Sequence, residues 1–426
     1  MFDRPKSGER AVLVHVEFRQ AIEPSSHFQE FEELAYAAGA EVVMSFRTTR
    51  NKPDPKFFIG KGKVEELREA IANLKVELVL FNDDLSPSQE RNLEKALKCR
   101  VLSRTGLILD IFASRARTFE GKLQVELAQL EHVATRLVRG WTHLERQGGG
   151  IGLKGPGETQ LETDRRLVRN RIQLIKQRLA QVQLQRQQNR RARVKQAIPT
   201  VAVVGYTNAG KSTLFNKLTG ADIFIADQLF ATLDPTARTI TVPNVGSMVL
   251  IDTVGFVQKL PHTLVDAFRA TLEETALADL LIHVVDVSSS HQQANITAVN
   301  QVLHEIEAGD IPQILVLNKT DLLEDAHALI GRTEEGVEAN KIVPKVWISA
   351  AEALGLDELK NLISQYLNQD MFMAQIDLAP NEGAFRAALY AVKAVEKETL
   401  LEEGGWALSV KLPKTQWQKL NREKRG

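Results

Sequence analysis

Residues 205–212 read GYTNAGKS and follow directly on the apolar run TVAVV. Glycines at both ends of such a turn let successive backbone amides face the same way, and a cradle of amides binds phosphate oxygens. Lys211 adds a cation suited to β- and γ-phosphates, and the Ser212 hydroxyl is a ligand for Mg²⁺. Gly205, Tyr206, Thr207, Asn208, Ala209 and Gly210, with Lys211, Ser212 and Thr213 opening the helical stretch TLFNKL, are therefore expected to wrap a polyphosphate. A strand before and a helix after are the context that separates this pattern from an ordinary glycine-rich turn.

Three more segments follow in order. Asp252, Thr253, Val254 and Gly255 close the run MVLID. There the Asp252 carboxylate can reach Mg²⁺ through water, and the Gly255 amide can meet the last phosphate. Asn318, Lys319, Thr320 and Asp321 close QILVLNK. Guanine presents two donors, N1–H and N2–H, that one carboxylate accepts together, whereas adenine would set an acceptor against Asp321. Asn318 would hold the loop and touch the base, with the Lys319 stem over the ring. Ser349, Ala350 and Ala351 follow KVWI, and the backbone at Ser349 and Ala350 is expected to offer an amide to guanine O6. Each tetrapeptide alone is weak. Four in sequence, each at a strand end, specify a site for GTP.

Phe256 follows Gly255, where a glutamine often holds the attacking water. An aromatic ring cannot do so, and it reads as an apolar plug turned away from the nucleotide. Slow intrinsic turnover is then expected, which an ion or a partner restores. Asn208 resembles the asparagine that helps hold a monovalent cation beside the phosphates in K⁺-activated GTPases, and is equally suited to tight-turn geometry. A macromolecular partner that orders the loops around the nucleotide is the favoured source of acceleration.

These residues need elements to hold them. Strands are expected at 11–18, 40–46, 76–82 and 99–103, with helices at 25–38, 64–74 and 86–98 between them, which makes a parallel α/β N-terminal domain over 1–117. Leu123, Leu127, Leu130, Ala134 and Leu137 then recur at heptad steps, as do Leu161, Val168, Ile172, Ile175, Leu179 and Val182. Two such seams flanking the glycine-rich 147–160 predict an antiparallel helical hairpin with a flexible tip over 118–197. A P-loop domain with a doubly wound sheet is expected over 198–370, its strands at 198–205, 248–252, 280–287, 313–319 and 345–349. A small C-terminal domain takes 371–426.

Composition sets the outer limits. The chain has 426 residues, no net charge and a single cysteine, Cys99, so no internal disulfide can form. Cys99 reads as a small buried apolar residue in a reducing compartment. The charged N-terminus lacks a signal-peptide core, and no run reaches the roughly 18 apolar residues of a bilayer span. A cytoplasmic location without membrane insertion is expected, and nothing requires an oligomer.

Charge is uneven within that zero sum. Along the second hairpin helix stand Arg165, Arg166, Arg169, Arg171, Lys176, Arg178, Arg186, Arg190, Arg191, Arg193 and Lys195, against only Glu162 and Asp164. A charge run is usually a solvated face. One of nearly single sign beside a mobile tip suits contact with an RNA backbone better. The tip carries Lys154, and Trp141 and His143 are the nearest stacking groups. Gly60, Lys61, Gly62 and Lys63 open another helix where phosphate could bind, although the spacing is not that of a P-loop.

The set GYTNAGKSTLFN, FATLDPTAR, DTVGFV and, above all, GPGETQLETDRR at 155–166 resembles the HflX family of ribosome-associated GTPases, in the Obg–HflX group. The likeness covers the first three domains and is weakest over the last fifty or so residues. It implies that FATLDPTAR (230–238) is the first switch, that Phe230, Ala231, Thr232, Leu233 and Asp234 within it line the nucleotide, and that Thr232 completes Mg²⁺ coordination. By spacing alone Thr236 and Thr239 are equal rivals in a polar loop. It further implies that the hairpin tip enters the large ribosomal subunit near its catalytic centre and separates the subunits under stress. Two rivals stand beside this: an RNA-remodelling NTPase with a second, ATP-binding site in the N-terminal domain, and a signalling switch with a protein partner.

Overall fold

The computed structural model describes residues 8–18, 26–136, 160–195, 198–220, 229–230, 233–243, 245–257, 274–338, 341–369, 371–392, 394–401, 404–413, 417 and 420–421. These fall into two compact units. One takes in the described residues of Met1–Val182, Ile225–Asp234 and Val254–Ala270, and the other takes in the rest.

In the first unit, strands β1 (Arg10–Phe18), β2 (Glu41–Arg50), β3 (Leu78–Phe81) and β4 (Arg100–Leu102) alternate with helices α1 (Ser26–Ala37), α2 (Lys61–Leu74), α3 (Pro87–Leu97) and α4 (Arg104–Arg115). The sheet runs β2-β1-β3-β4 with every pairing parallel. Alternation along β1 feeds two cores. Ala11 and Leu13 join Phe31 and Leu34 of α1 and Ile108 and Phe112 of α4, while Val12, Val14 and Val16 join Leu67 of α2 and Leu93 of α3. A strand covered on both faces has no polar side, which is why AVLVHV reads as one apolar run. Helix α3 starts on a capping box: Gln89 N–H donates to Ser86 Oγ at 3.2 Å, and Ser86 N–H to Gln89 Oε1 at 2.9 Å. Pro87 occupies the first helical position, where no N–H is needed.

Two boundaries differ from the sequence expectation. β2 continues to Arg50, past the apolar stretch, through residues exposed on alternate sides. α2 opens at Lys61 behind Gly60, so the Gly-Lys-Gly-Lys run forms its first turn.

The hairpin helices are α5 (Phe119–Arg136) and α6 (Gln160–Lys195). Leu123, Leu127 and Leu130 of α5 share a cluster with Ile172, Ile175 and Leu179 of α6, as the heptads predict. Arg171 pairs with Glu126 at 2.6 Å and Lys176 with Glu131 at 2.9 Å beside it. The expected tip, with Lys154, and Leu137, Trp141 and His143, lies outside the described residues.

The second unit holds a seven-stranded sheet in the order β10-β11-β9-β8-β5-β7-β6. Its strands are β5 (Thr200–Gly205), β6 (Thr236–Val242), β7 (Gly246–Asp252), β8 (Leu280–Asp286), β9 (Gln313–Asn318), β10 (Thr333–Glu338) and β11 (Lys341–Trp347). The five central strands are parallel, and β6 and β10 close the edges antiparallel. These edge strands are absent from the sequence expectation, because half-exposed sequences such as TARTITV lack an apolar run. Helices α7 (Lys211–Thr219), α8 (Gln292–Glu305) and α9 (Leu356–Gln369) belong to the same unit, and the sheet core gathers Val203, Phe215, Leu250, Ile282, Val316 and Leu359. The C-terminal segment adds a three-stranded antiparallel sheet, β12 (Met371–Leu378), β14 (Trp406–Pro413) and β13 (Val395–Leu400), with α10 (Gly383–Ala391) and its own small core around Leu389 and Leu408.

Candidate functional site

The GYTNAGKS turn links β5 to α7 as its flanks predict. Two glycines are obligatory there. A Cβ on Gly205 would stand 2.3 Å from the Val284 carbonyl oxygen, and one on Gly210, at φ +90°, would stand 2.2 Å from Asn318 Nδ2. Asn208 takes a left-handed conformation at φ 60°, so its tolerance of tight turns accounts for its presence without any ligand.

Lys211 is buried, and its Nζ donates to the Tyr206 carbonyl oxygen at 2.7 Å. Burial pushes its ammonium down to about 8, against the opposing pull of the Asp252 carboxylate. A cation held this way gains when a phosphate arrives. Ser212 Oγ donates to Asp252 Oδ2 at 2.8 Å, and Asp252 is almost wholly enclosed. A hydroxyl and a carboxylate oxygen side by side are hard oxygen donors of the kind Mg²⁺ takes, so the residues fit that ion. Thr253 Oγ1 donates to the Val203 carbonyl at 2.6 Å and fixes the end of β7 against β5.

At the end of β9, Asn318 is spent on the scaffold. Its Nδ2 donates to the Ala209 carbonyl at 2.8 Å and its Oδ1 accepts from the Ala350 amide at 2.9 Å. One side chain thus ties the phosphate-type turn to the loop after β11. Lys319 is left-handed at φ 63°, and its Nζ pairs with Asp286 at 2.7 Å. Asp321 Oδ1 is enclosed and accepts no hydrogen bond among the described residues, and neither does Thr207 Oγ1. A buried carboxylate oxygen without a donor is costly unless a ligand supplies one. The two donors on the guanine edge are of that kind.

The loop after β11 differs in detail from expectation. The Ser349 amide donates to Leu354 and the Ala350 amide to Asn318, so both are committed within the protein. Guanine O6 would have to share or displace these bonds to reach either amide, and the next along is that of Ala351.

Phe230, Leu233, Asp234 and Gly255 belong to the first unit. Phe230 and Leu233 are buried in the N-terminal core with Leu229, and the Phe230 ring meets Phe112 edge-on at 4.6 Å. The Asp234 carboxylate accepts from the start of α5. Val254 and Val257 belong to that core too, and Phe256 is only 2% exposed, the plug expected of it. Gly255 is buried. Ala231 and Thr232 fall outside the described residues. Thr236 and Thr239, the rival metal ligands, stand in edge strand β6 and not in a loop.

The sequence reading passed over His283. It sits in the middle of β8, buried, and burial lowers its imidazole to about 4, with the Lys211 charge adding to the effect and a bond to Gln313 opposing it. The signal was one polar residue inside LLIHVVD. Cys99 behaves as expected of a filler, its thiol raised to about 12 by burial.

A parallel sheet bearing a G-x-x-x-x-G-K-S turn, a strand-end DTVG and a strand-end NKTD with an orphaned carboxylate defines a GTP-hydrolysing enzyme of the P-loop class. Residues 200–319 match the family described as 50S ribosome-binding GTPase, 25–113 match GTP-binding GTPase N-terminal, and 115–193 match GTP-binding GTPase Middle Region. The chain is 54% identical to GTPase HflX of Escherichia coli K12, over 99% of this chain and 97% of that one. It is 47% identical to GTPase HflX of Caldanaerobacter subterraneus over 86% and 82%, and 42% identical to that of Magnetococcus marinus over 93% and 90%. The chain belongs to the HflX GTPase family.

Proposed function

We propose that this GTPase binds the large ribosomal subunit and its RNA through the helical hairpin, and couples GTP binding and hydrolysis to separation of the ribosomal subunits under stress. The observation that carries this reading is the hairpin itself. α6 is 36 residues long, about 54 Å at the helical rise. Its acidic contacts are spent on α5 at Glu126 and Glu131, while Arg169 and Arg178 stay exposed. A long arm with outward arginines suits the electrostatics of an RNA backbone. The description of the family matched by residues 200–319 supports the same partner.

In this reading Lys211 and the amides of 205–213 hold the β- and γ-phosphates. Ser212 and Thr232 hold Mg²⁺, with Asp252 behind them, and the ion supplies charge neutralisation at the transferring phosphate. Gly255 meets the γ-phosphate, Asp321 reads guanine N1–H and N2–H, and Ala351 takes guanine O6. Asn208 holds K⁺ in addition to shaping its turn. The protein works in the cytoplasm, without need of an oligomer.

The test is GTP turnover by the purified chain with and without purified large subunits, in Na⁺ and in K⁺, alongside sedimentation of 70S ribosomes. Strong stimulation and a shift of 70S to free subunits with GTP are expected. Turnover indifferent to the large subunit would remove the ribosome from the account.

A further inference from the structure

Strand β8 ends in Asp286, and the sequence that follows, VSSS, turns back on that carboxylate. Oδ1 accepts from the Ser288 amide at 2.9 Å and from the Ser288 hydroxyl at 2.6 Å. An aspartate bonded to its own chain two residues on forms an Asx turn, which steadies the carboxylate and leaves its second oxygen for another partner. That oxygen, Oδ2, lies 2.7 Å from Lys319 Nζ. The sheet sets the two residues side by side. Asp286 is the register partner of Asn318, and the Val287 amide donates to the Asn318 carbonyl at 3.1 Å.

Lys319 is constrained from its own side as well. Its backbone is left-handed at φ 63°, a conformation that L-residues resist and that persists where neighbours impose it. Those neighbours are the Asn318 link to Ala209 and the Thr320 amide, which donates to the Ile348 carbonyl at 3.2 Å. With the backbone fixed by the strand end and Nζ fixed by Asp286, a flexible four-carbon stem is held at both ends. Lysine has more rotamer freedom to lose on ordering than most side chains. The pair itself is partly open to water, Lys319 at 27% and Asp286 at 21%, and ion pairs near the surface contribute little to stability. Its effect is to be sought in the nucleotide.

We propose that Asp286 is a positioning residue for the guanine base: it holds the Lys319 ammonium so that the stem is laid out in advance across the face of the ring. Asp286 acts through Lys319 and touches no part of the nucleotide. A stem ordered beforehand loses no rotamer freedom when the base arrives, and the gain appears chiefly as slower release. A contact with the face is blind to the groups on the purine edge. Asp286 therefore governs how long a purine nucleotide stays, while Asp321 governs which purine it is. The inference rests on the base reading above, with Lys319 over the guanine ring, and extends it to the rate of release.

The experiment measures release of fluorescently labelled GDP and inosine diphosphate, which lacks the guanine amino group, from the full chain by stopped flow. It compares wild type, Asp286→Asn, Lys319→Met and the double variant, with thermal unfolding on each. Asp286→Asn keeps an acceptor for Ser288 but loses the ion pair. It should quicken release about fivefold, the effect of freeing one rotamer-rich side chain, and by the same factor for both nucleotides. Lys319→Met keeps an apolar stem without the ammonium, so adding Asp286→Asn to it should change nothing further. Release unchanged by Asp286→Asn, an equal acceleration in both Lys319 backgrounds, or factors that differ between the two nucleotides would overturn the proposal. A lowered melting temperature with wild-type release marks a purely structural pair and overturns it too. Equal release of both nucleotides from wild type would instead fault the reading of the base edge by Asp321. Should Asp286→Asn fail to fold, Ser288→Ala decides, since it removes one of the two donors that steady the carboxylate. Release about twofold faster with Lys319 present and unchanged in Lys319→Met supports the role; no change, or the same change in both, refutes it.

Discussion

Asn318 Nδ2 donates to the Ala209 carbonyl oxygen at 2.8 Å, so the NKTD loop and the GYTNAGKS turn are joined by a single side-chain amide. An aspartate at this position would set a carboxylate oxygen against that carbonyl in a buried site. Leaving such an acceptor unpaired costs about 1–3 kcal/mol. Asn318→Asp should lower GDP affinity at least tenfold by fluorescence titration (~1.4 kcal/mol) and reduce the melting temperature as well. Unchanged affinity would show that the link is dispensable.

Asp321 should set the choice of base. Its enclosed Oδ1 has no donor among the described residues, and a side-chain amide in place of the carboxylate would turn an N–H toward guanine N1–H and N2–H. Asp321→Asn should cut GTP affinity by about tenfold or more and raise that for xanthosine triphosphate, whose C2 carbonyl accepts the new donor. Competition binding with the two triphosphates reads this directly.

Nucleotide affinity should depend on pH through Lys211. Its ammonium titrates at about 8 in the free protein, and a bound polyphosphate raises that value. The raised group contributes fully below pH 8, and its contribution is lost as pH rises above 8. Affinity should therefore be flat from pH 6.5 to 7.5 and then fall by up to about tenfold per pH unit. Calorimetric titrations across pH 6.5–9 test the slope, and Lys211→Ala should be weak and level throughout.

Stability should fall in mild acid because of His283. Its folded value is about 4 against an ordinary 6.5, so the unfolded chain binds the extra proton between those values. The stabilisation is complete above pH 6.5 and is lost as pH falls toward 4. At about 1.4 kcal/mol per unit, that amounts to at most about 3 kcal/mol. His132 in α5, lowered to about 3 by burial and by Arg136, acts in the same sense. His283→Gln should flatten part of the decline in denaturant midpoint between pH 6.5 and 4.5; a curve identical to wild type would exclude His283 as its source.

Local patterns were the legible part of this molecule. The strand–turn–helix around Lys211, the NKTD strand end and the seam of Leu123, Leu127 and Leu130 against Ile172, Ile175 and Leu179 each depend on neighbours within a few residues or on simple periodicity. What escaped depends on partners far along the chain. Nothing near Phe230 says that Phe112 receives it, and nothing near Asp234 says that Thr118 does. The Ser349 and Ala350 amides look available until the turn to Leu354 and the reach of Asn318 are known. Strand β6 escaped for a different reason: an edge strand has one face open to water, so its threonines and Arg238 mimic a loop.

Helix α6 contains neither glycine nor proline from Gln160 to Lys195, and β5 starts at Thr200. Sharp bends in helices arise at such residues or at inserted groups. The segment consequently behaves as a stiff lever. A load on any of its turns is spread along the helix as tilt or rotation, with no kink-prone residue to absorb it.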